Sequence, residues 1–463
     1  MRILLVKPYN LSDHIQPPLG LAYLTTALRS HHDVKVLDCI KDNVRIKGLL
    51  RYIDSFKPDI LGMQCYTFHL AFVKRSFITA KQMNPNIVNI IGGPHPSAVP
   101  RETMDYLGGD VDFLFQGEAE LGLPLLLEEI QKGPDYNLGD IPGLVWRNKQ
   151  GKLILNNKVY PENLDALGFP AWDLIHPERY PEAQHGAFFK KFPIAPIMIT
   201  RGCPYNCTFC AGGLISGKKI RKRSIDNVLS EIKMLYHDYG IHEFHIVDDN
   251  FTVDKGHAKE LLTEIIELNL DISLATPNGV RVDSLDEELL ELFKRAGLYI
   301  ISLGIESGSD RMLELMEKNL TVTRVRKVVN MIRKFDIDIA GFFIIGFPQE
   351  TIADIRKTIE LSLQLDLIRA NFFTYLPFPG TASYRYLKEN GELNNVDWER
   401  FYFMSAPYVP AGLTRTMLKS LQRKAFLRFY LRPKVLIKNM LSIKSLRHLY
   451  FLLKRFFHWV IMR

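Results

Sequence analysis

What most constrains the fold of this chain is a repeated alternation of short, branched apolar runs with longer amphipathic segments. Runs at 3–6, 34–37, 60–63, 88–91 and 113–115 are rich in Val, Ile, Leu or Phe, and each is followed by apolar residues at helical spacing. Strands that are apolar on both faces suit a parallel sheet covered by helices on either side. Residues 1–132 are therefore expected to form a doubly wound α/β domain, with its ligand crevice at the carboxyl ends of the strands. Those ends carry "KPYNLSDHIQPPLG", "QCYTFH", "GGPHPSAVP" and "QGEAELG". Gly92, Gly93 and Pro94 directly follow the fourth run, where they fit either a tight turn or a close approach of backbone to ligand. No G-x-G-x-x-G follows the first run, which argues against a nicotinamide dinucleotide.

Residues 133–195 have no sustained helical period, are rich in Pro, Gly and Asn, and carry a hairpin signal at "GLVWRNKQGKLILNN". They read as a connector packed between two domains. From residue 196 to about 400 the alternation resumes on a longer repeat, with strands expected at 197–200, 243–247, 272–275, 299–305, 339–345 and 370–375. Six such strand–helix units match a partial (β/α)6 barrel, whose chemistry sits at the carboxyl ends of its strands.

With 463 residues, 47% of them hydrophobic, the chain can bury several cores. Five cysteines, two of them isolated at Cys39 and Cys65, make no disulfide scaffold, so a reducing cytoplasmic setting is expected. The opening "MRILLVKPYN" lacks the apolar length of a signal peptide, and no run reaches the roughly 18 apolar residues of a membrane span. The net charge of +8 is concentrated in the tail. Residues 413–463 hold 13 of the 59 Lys and Arg and no Asp or Glu, so the first 412 residues carry 46 basic against all 51 acidic groups. Residues 401–463 are therefore read as a basic helical region that either closes the open side of the barrel or lies on an anionic membrane surface. No nucleic-acid module accompanies the charge, and nucleic acid is not expected as a partner.

Three cysteines, Cys203, Cys207 and Cys210, crowd the stretch "MITRGCPYNCTFCAGG" just after the first strand of the second alternation. Three neighbouring thiols cannot pair among themselves without leaving one over, and no fourth Cys or His stands at the spacing of a structural zinc site. A cubane of four irons held by three thiolates would leave one iron open to a small molecule.

"CPYNCTFC", with Phe209 before its third cysteine, resembles the cluster motif of the radical S-adenosylmethionine (SAM) superfamily. That resemblance implies a 4Fe-4S cluster on Cys203, Cys207 and Cys210, SAM at the open iron, and reductive cleavage of SAM to a 5′-deoxyadenosyl radical. It also implies SAM contacts at Asp248 and Asp249 of "VDDNF", at Glu306 of "GIESG", and at Ile344, Gly346 and Phe347 of "GFFIIGFPQET". The N-terminal half resembles the Rossmann-like cobalamin-binding domain fused to such barrels, through "PPLGLAYL", "GGPHPSAVP", "GEAELGLPLLL" and "GFPAWDL". Cobalamin contacts are implied at Gly92, Gly93, Pro94, Gly117 and Glu118. The chain lacks the D-x-H-x-x-G of methionine-synthase-like domains, so His14 is not expected as a cobalt ligand. His14, His69 and His95 are read as solvated loop histidines, and Cys65 as a small buried hydrophobe. The resemblance implies methylation of an unactivated carbon of a small-molecule or lipid-like substrate, with an external electron donor of flavodoxin or ferredoxin type. Cyclisation or rearrangement of a tetrapyrrole or lipid without net methylation is the alternative within the group. A regulator without turnover is the alternative outside it.

Overall fold

The computed structural model describes residues 1–10, 15–133, 137–184, 188–396 and 401–461. Five parallel strands come first: β1 (Arg2–Lys7), β2 (Asp33–Asp38), β3 (Ile60–Gln64), β4 (Val88–Gly92) and β5 (Phe113–Phe115). Their order is β2-β1-β3-β4-β5, so the winding direction switches between β1 and β3 and opens a crevice at that point. Along β1, Leu4 and Val6 enter the core on one face while Ile3 and Leu5 enter the core on the other. This two-sided burial is why the runs read as continuously apolar.

The hairpin β6 (Leu144–Arg147) and β7 (Leu153–Leu155) adds antiparallel to β5 and extends the sheet to seven strands. The first sheet thus runs past residue 132 to Leu155, which corrects the reading of 133–195 as connector throughout. The physical reason is visible in the pattern. β5 alone would leave an unpaired edge, and the hairpin covers it while Leu144 and Val145 fill the two opposite cores.

The second half begins with β8 (Ile194–Ile197), followed by a short antiparallel pair, β9 (Thr200–Arg201) and β10 (Arg221–Lys222). Then come β11 (Glu243–Ile246), β12 (Ser273–Val280), β13 (Leu298–Glu306), β14 (Asp338–Ile345) and β15 (Arg369–Thr374). β8 and β11 to β15 form one parallel six-stranded sheet in chain order, an open barrel wall. Its first strand lies three residues earlier than the expected 197–200 because Asp248 accepts the amides of Ile199 at 2.8 Å and Thr200 at 2.7 Å and draws the chain out of the sheet. Barrel helices are started by hydroxyl or carboxylate caps: Ser224, Asp254, Asp286, Thr321 and Thr351 each accept an N–H of the first turn. The helix Arg415–Tyr430 packs beside β15, followed by helices Pro433–Leu441 and Leu446–Ile461. Among the described residues no helix is long and apolar enough to cross a membrane.

Candidate functional site

The three cysteines ride a loop whose base is the β9–β10 pair. Gly202 starts that loop at φ +96°, and a β-carbon there would fall 2.2 Å from the Lys219 carbonyl oxygen, so only glycine fits. The Cys203 amide donates to Gly217 O at 3.1 Å and the Cys210 amide to Cys207 O at 3.1 Å, which folds the loop back on itself. Its middle is anchored across the barrel mouth: the Thr208 amide donates to Met316 O, and Thr208 O accepts from the amide and hydroxyl of Ser383. The three sulfurs are near enough to influence one another's charge. Even so, among the described residues no three His, Cys, Asp or Glu side chains converge on a point suited to one metal ion. Burial raises the thiols of Cys203 and Cys210, the latter to about 11, so a metal centre would have to displace their protons.

Two cations that sequence reading missed stand at the Cys207 corner. Arg281 Nη1 donates to Cys207 Sγ at 3.7 Å, and its guanidinium lies over the Tyr205 ring at 3.7 Å, braced by Asp283. Lys318 pairs with Glu306 at 2.7 Å and lies 5.7 Å from the Phe209 ring centroid. Burial works against the Lys318 charge, but Glu306 and Cys207 hold it above the usual value. Glu306 therefore meets the site already neutralised, in a left-handed backbone conformation at φ +64°.

Asp248 and Asp249, adjacent in sequence, part company. Both oxygens of Asp248 are occupied by the amides of Ile199 and Thr200 and by the Thr200 hydroxyl at 2.7 Å, while burial pushes its carboxyl up to about 7. It shapes the turn after β8. Asp249 is exposed to the cavity, with its carboxyl raised by burial, and it accepts from the Ser216 side chain and the Gly202 amide. At the end of β14, Glu350 accepts the amides of Gly346 and, at 3.1 Å, Phe347, so neither N–H is open to a ligand as the loop stands. Gly346 is at φ +79°, and a β-carbon there would lie 2.6 Å from Leu418 of the tail helix. Ile344 and Phe209 lie against an apolar cluster built on Phe347, Tyr375 and Phe401.

A cavity of about 340 Å³ lies between the two halves. It runs from the apolar side of the first sheet, at Leu5, Gly62 and Leu123, past Gly92, Gly93, Pro94 and Gly117, to Arg201 and Asp249 of the barrel. Gly93 is demanded by the turn itself, since a β-carbon at its φ of +103° would lie 3.0 Å from the Cys65 amide nitrogen. Glu118 lines the cavity, but both its oxygens bind Arg221 and Arg201, so it is a bridge between the halves. His69 and His95 are buried, not solvated, and Cys65 is wholly buried. His14 lies outside the described residues.

With that geometry in place, comparison with known proteins is decisive. Residues 197–362 match the Radical SAM superfamily and residues 11–127 the B12 binding domain. The chain is 33% identical, over 98% of its length and 97% of the relative's, to an uncharacterized methyltransferase of Pyrococcus horikoshii. It is a cobalamin-binding radical SAM protein. A second relative, cytidylyl-2-hydroxyethylphosphonate methyltransferase of Streptomyces wedmorensis, is 31% identical over 80% of this chain and 77% of its own. The fold matches OxsB, a cobalamin-dependent SAM radical enzyme solved with aqua-cobalamin and SAM, at a TM-score of 0.72 and 15% identity, covering 98% of this chain and 70% of that one.

The cofactors of this radical SAM protein are a 4Fe-4S cluster, SAM and cobalamin, and its residues fit them. Three free cysteines on one glycine-hinged loop supply the thiolate donors that a cluster takes. The cavity joins an apolar pocket of the first sheet to the side of that loop, and Gly92, Gly93 and Gly117 leave that part of its wall without side chains.

Proposed function

We propose that this chain is a cobalamin-dependent radical SAM C-methyltransferase acting on an unactivated carbon of a small-molecule biosynthetic substrate. The observation that carries the reading is the continuous cavity from the glycine loops of the first sheet to Asp249 beside the cysteine loop. Two reactants held by different domains can meet only through such a space. When bound, the reduced cluster supplies the electron that breaks a carbon–sulfur bond of SAM, and cobalamin supplies the methyl group.

The chain's own residues supply placement. Cys203, Cys207 and Cys210 would hold three irons and leave the fourth for SAM. Asp249, the carboxylate exposed to the cavity, would accept the SAM amino group, while Asp248 fixes the turn that aims it. Lys318, steered by Glu306, and Arg281 crowd positive charge against Cys207. Ile344 and Phe347 would flank the adenine, and Gly92, Gly93, Pro94 and Gly117 the cobalamin. An external donor of flavodoxin or ferredoxin type would deliver the electron.

Anaerobic holoenzyme given methyl-labelled SAM, dithionite and a metabolite extract is expected to pass label first to its cobalamin and then to a product, while 5′-deoxyadenosine forms. Deoxyadenosine without labelled product would replace methylation by cyclisation or rearrangement.

The tail supports a peripheral membrane location. Ile437, Met440, Leu441, Leu446 and Tyr450 are each more than half exposed on helices that carry Lys and Arg and no acid. Basic, aromatic-bearing helices of this kind seat on anionic bilayers, which would deliver a lipid-like substrate.

A further inference from the structure

Cofactor binding does not account for a group of buried charges at the seam between the two halves. Glu118 and Glu120, in the loop after β5, meet Arg201 of β9 and Arg221 of β10. Arg221 grips Glu118 with both ends of its guanidinium, at 2.6 and 2.8 Å. Arg201 Nη1 donates to Glu118 at 2.9 Å and to Glu120 at 2.8 Å. All four side chains are at most 8% exposed. Each guanidinium also covers a ring, Arg201 that of Tyr23 at 4.9 Å and Arg221 that of Tyr160 at 5.0 Å. Tyr160 in turn is wedged between Gly117 and Gly217, both at positive φ, where β-carbons would lie 3.4 and 3.1 Å from its ring.

Buried ion pairs contribute little net stability, because desolvation offsets their attraction; what forked, fully satisfied pairs add is one permitted geometry. The placement here makes that geometry consequential. Arg201 and Arg221 are on the two short strands that bracket the cysteine loop, and Gly117 and Glu118 belong to the loop that lines the cavity from the first sheet. We propose that Glu118, Glu120, Arg201 and Arg221 are positioning residues that lock the cysteine loop to the cobalamin-side loop, so that the two cofactors face each other at one fixed separation. This rests on the methyltransferase reading for its purpose, but its geometry is testable without turnover.

E118Q removes two of the three ion pairs, and R221K keeps the charge while removing the fork. Each variant would be loaded anaerobically with iron, sulfide and cobalamin, then reduced to the cob(II)alamin and paramagnetic cluster states for pulsed electron paramagnetic resonance. The expected result is wild-type cofactor content with a broadened cobalt–cluster distance distribution. The ratio of deoxyadenosine formed to methyl transferred should rise several-fold, because SAM cleavage needs only the barrel. An unchanged distribution in both variants overturns the proposal, as does selective loss of cobalamin from E118Q, which would make Glu118 a cobalamin contact. If E118Q does not fold, R221K decides on the same two readouts. A wild-type enzyme that cleaves SAM but methylates nothing would sink the proposed function and leave the distance measurement standing.

Discussion

His95 is buried with its Nδ1 3.1 Å from the Thr67 hydroxyl, and burial lowers its pKa to about 4. His69, lowered by burial and by the Lys7 charge to about 3, lies beside Asn10 in the same crevice. A folded pKa below the unfolded value of about 6.5 means that the unfolded chain binds more protons between those values. Their contribution is therefore intact above about 6.5 and is lost as pH falls toward the folded values. H95Q, which keeps a polar group near Thr67 but does not titrate, should reduce the drop in unfolding free energy of the cobalamin-free protein between pH 7.5 and 5 by about 2 kcal/mol. Urea unfolding at both pH values checks this, and an undiminished drop refutes it. At the cysteine loop, C207A is expected to abolish iron–sulfur absorbance and deoxyadenosine formation together. Cleavage retained at wild-type rate would mean that the three thiolates are not the cluster's ligands.

β15 is an edge strand of the barrel sheet, and backbone groups on its side away from β14 find partners in the following segment. The Tyr430 hydroxyl lies 3.3 Å from Ala370 N and 3.1 Å from its O; Gln422 Nε2 donates to Phe372 O at 2.7 Å; the Thr374 amide donates to Phe403 O at 3.0 Å. The first tail helix is thus a cover for an edge that would otherwise pair with another chain. The sequence left open whether residues 413–463 close the barrel or meet a membrane, and the structure divides the segment: Arg415–Tyr430 closes, and the two later helices leave apolar side chains exposed. Q422L should destabilise the protein by about 1–3 kcal/mol, because Phe372 O loses its buried donor. Chemical denaturation is the check, and a stability within error of wild type would show that the edge does not need the helix.

Across the whole molecule, the exposed apolar side chains of the tail lie on two basic helices beyond the edge cover. A chain ending at Arg432 keeps the edge cover and removes the two helices that carry the exposed apolar side chains, together with the buried Val435 and His448. It should remain at the bottom of a flotation gradient with phosphatidylglycerol vesicles, whereas the full chain floats at low salt and is released by high salt. Equal recovery of the two would refute membrane seating by residues 433–463. The chain by itself determined the parallel strands of both sheets and the cysteine trio on the loop after the first barrel strand. Periodicity and short spacing are properties of residue order, and local backbone chemistry reads them directly. Only the tertiary structure decided that Asp248 serves the backbone while Asp249 faces the cavity, and that Glu118 bridges domains. It also brought Arg281 beside Cys207, 74 residues away in the chain. Such pairings form when distant strands converge, and a contact made across a fold leaves no mark in the spacing of either partner.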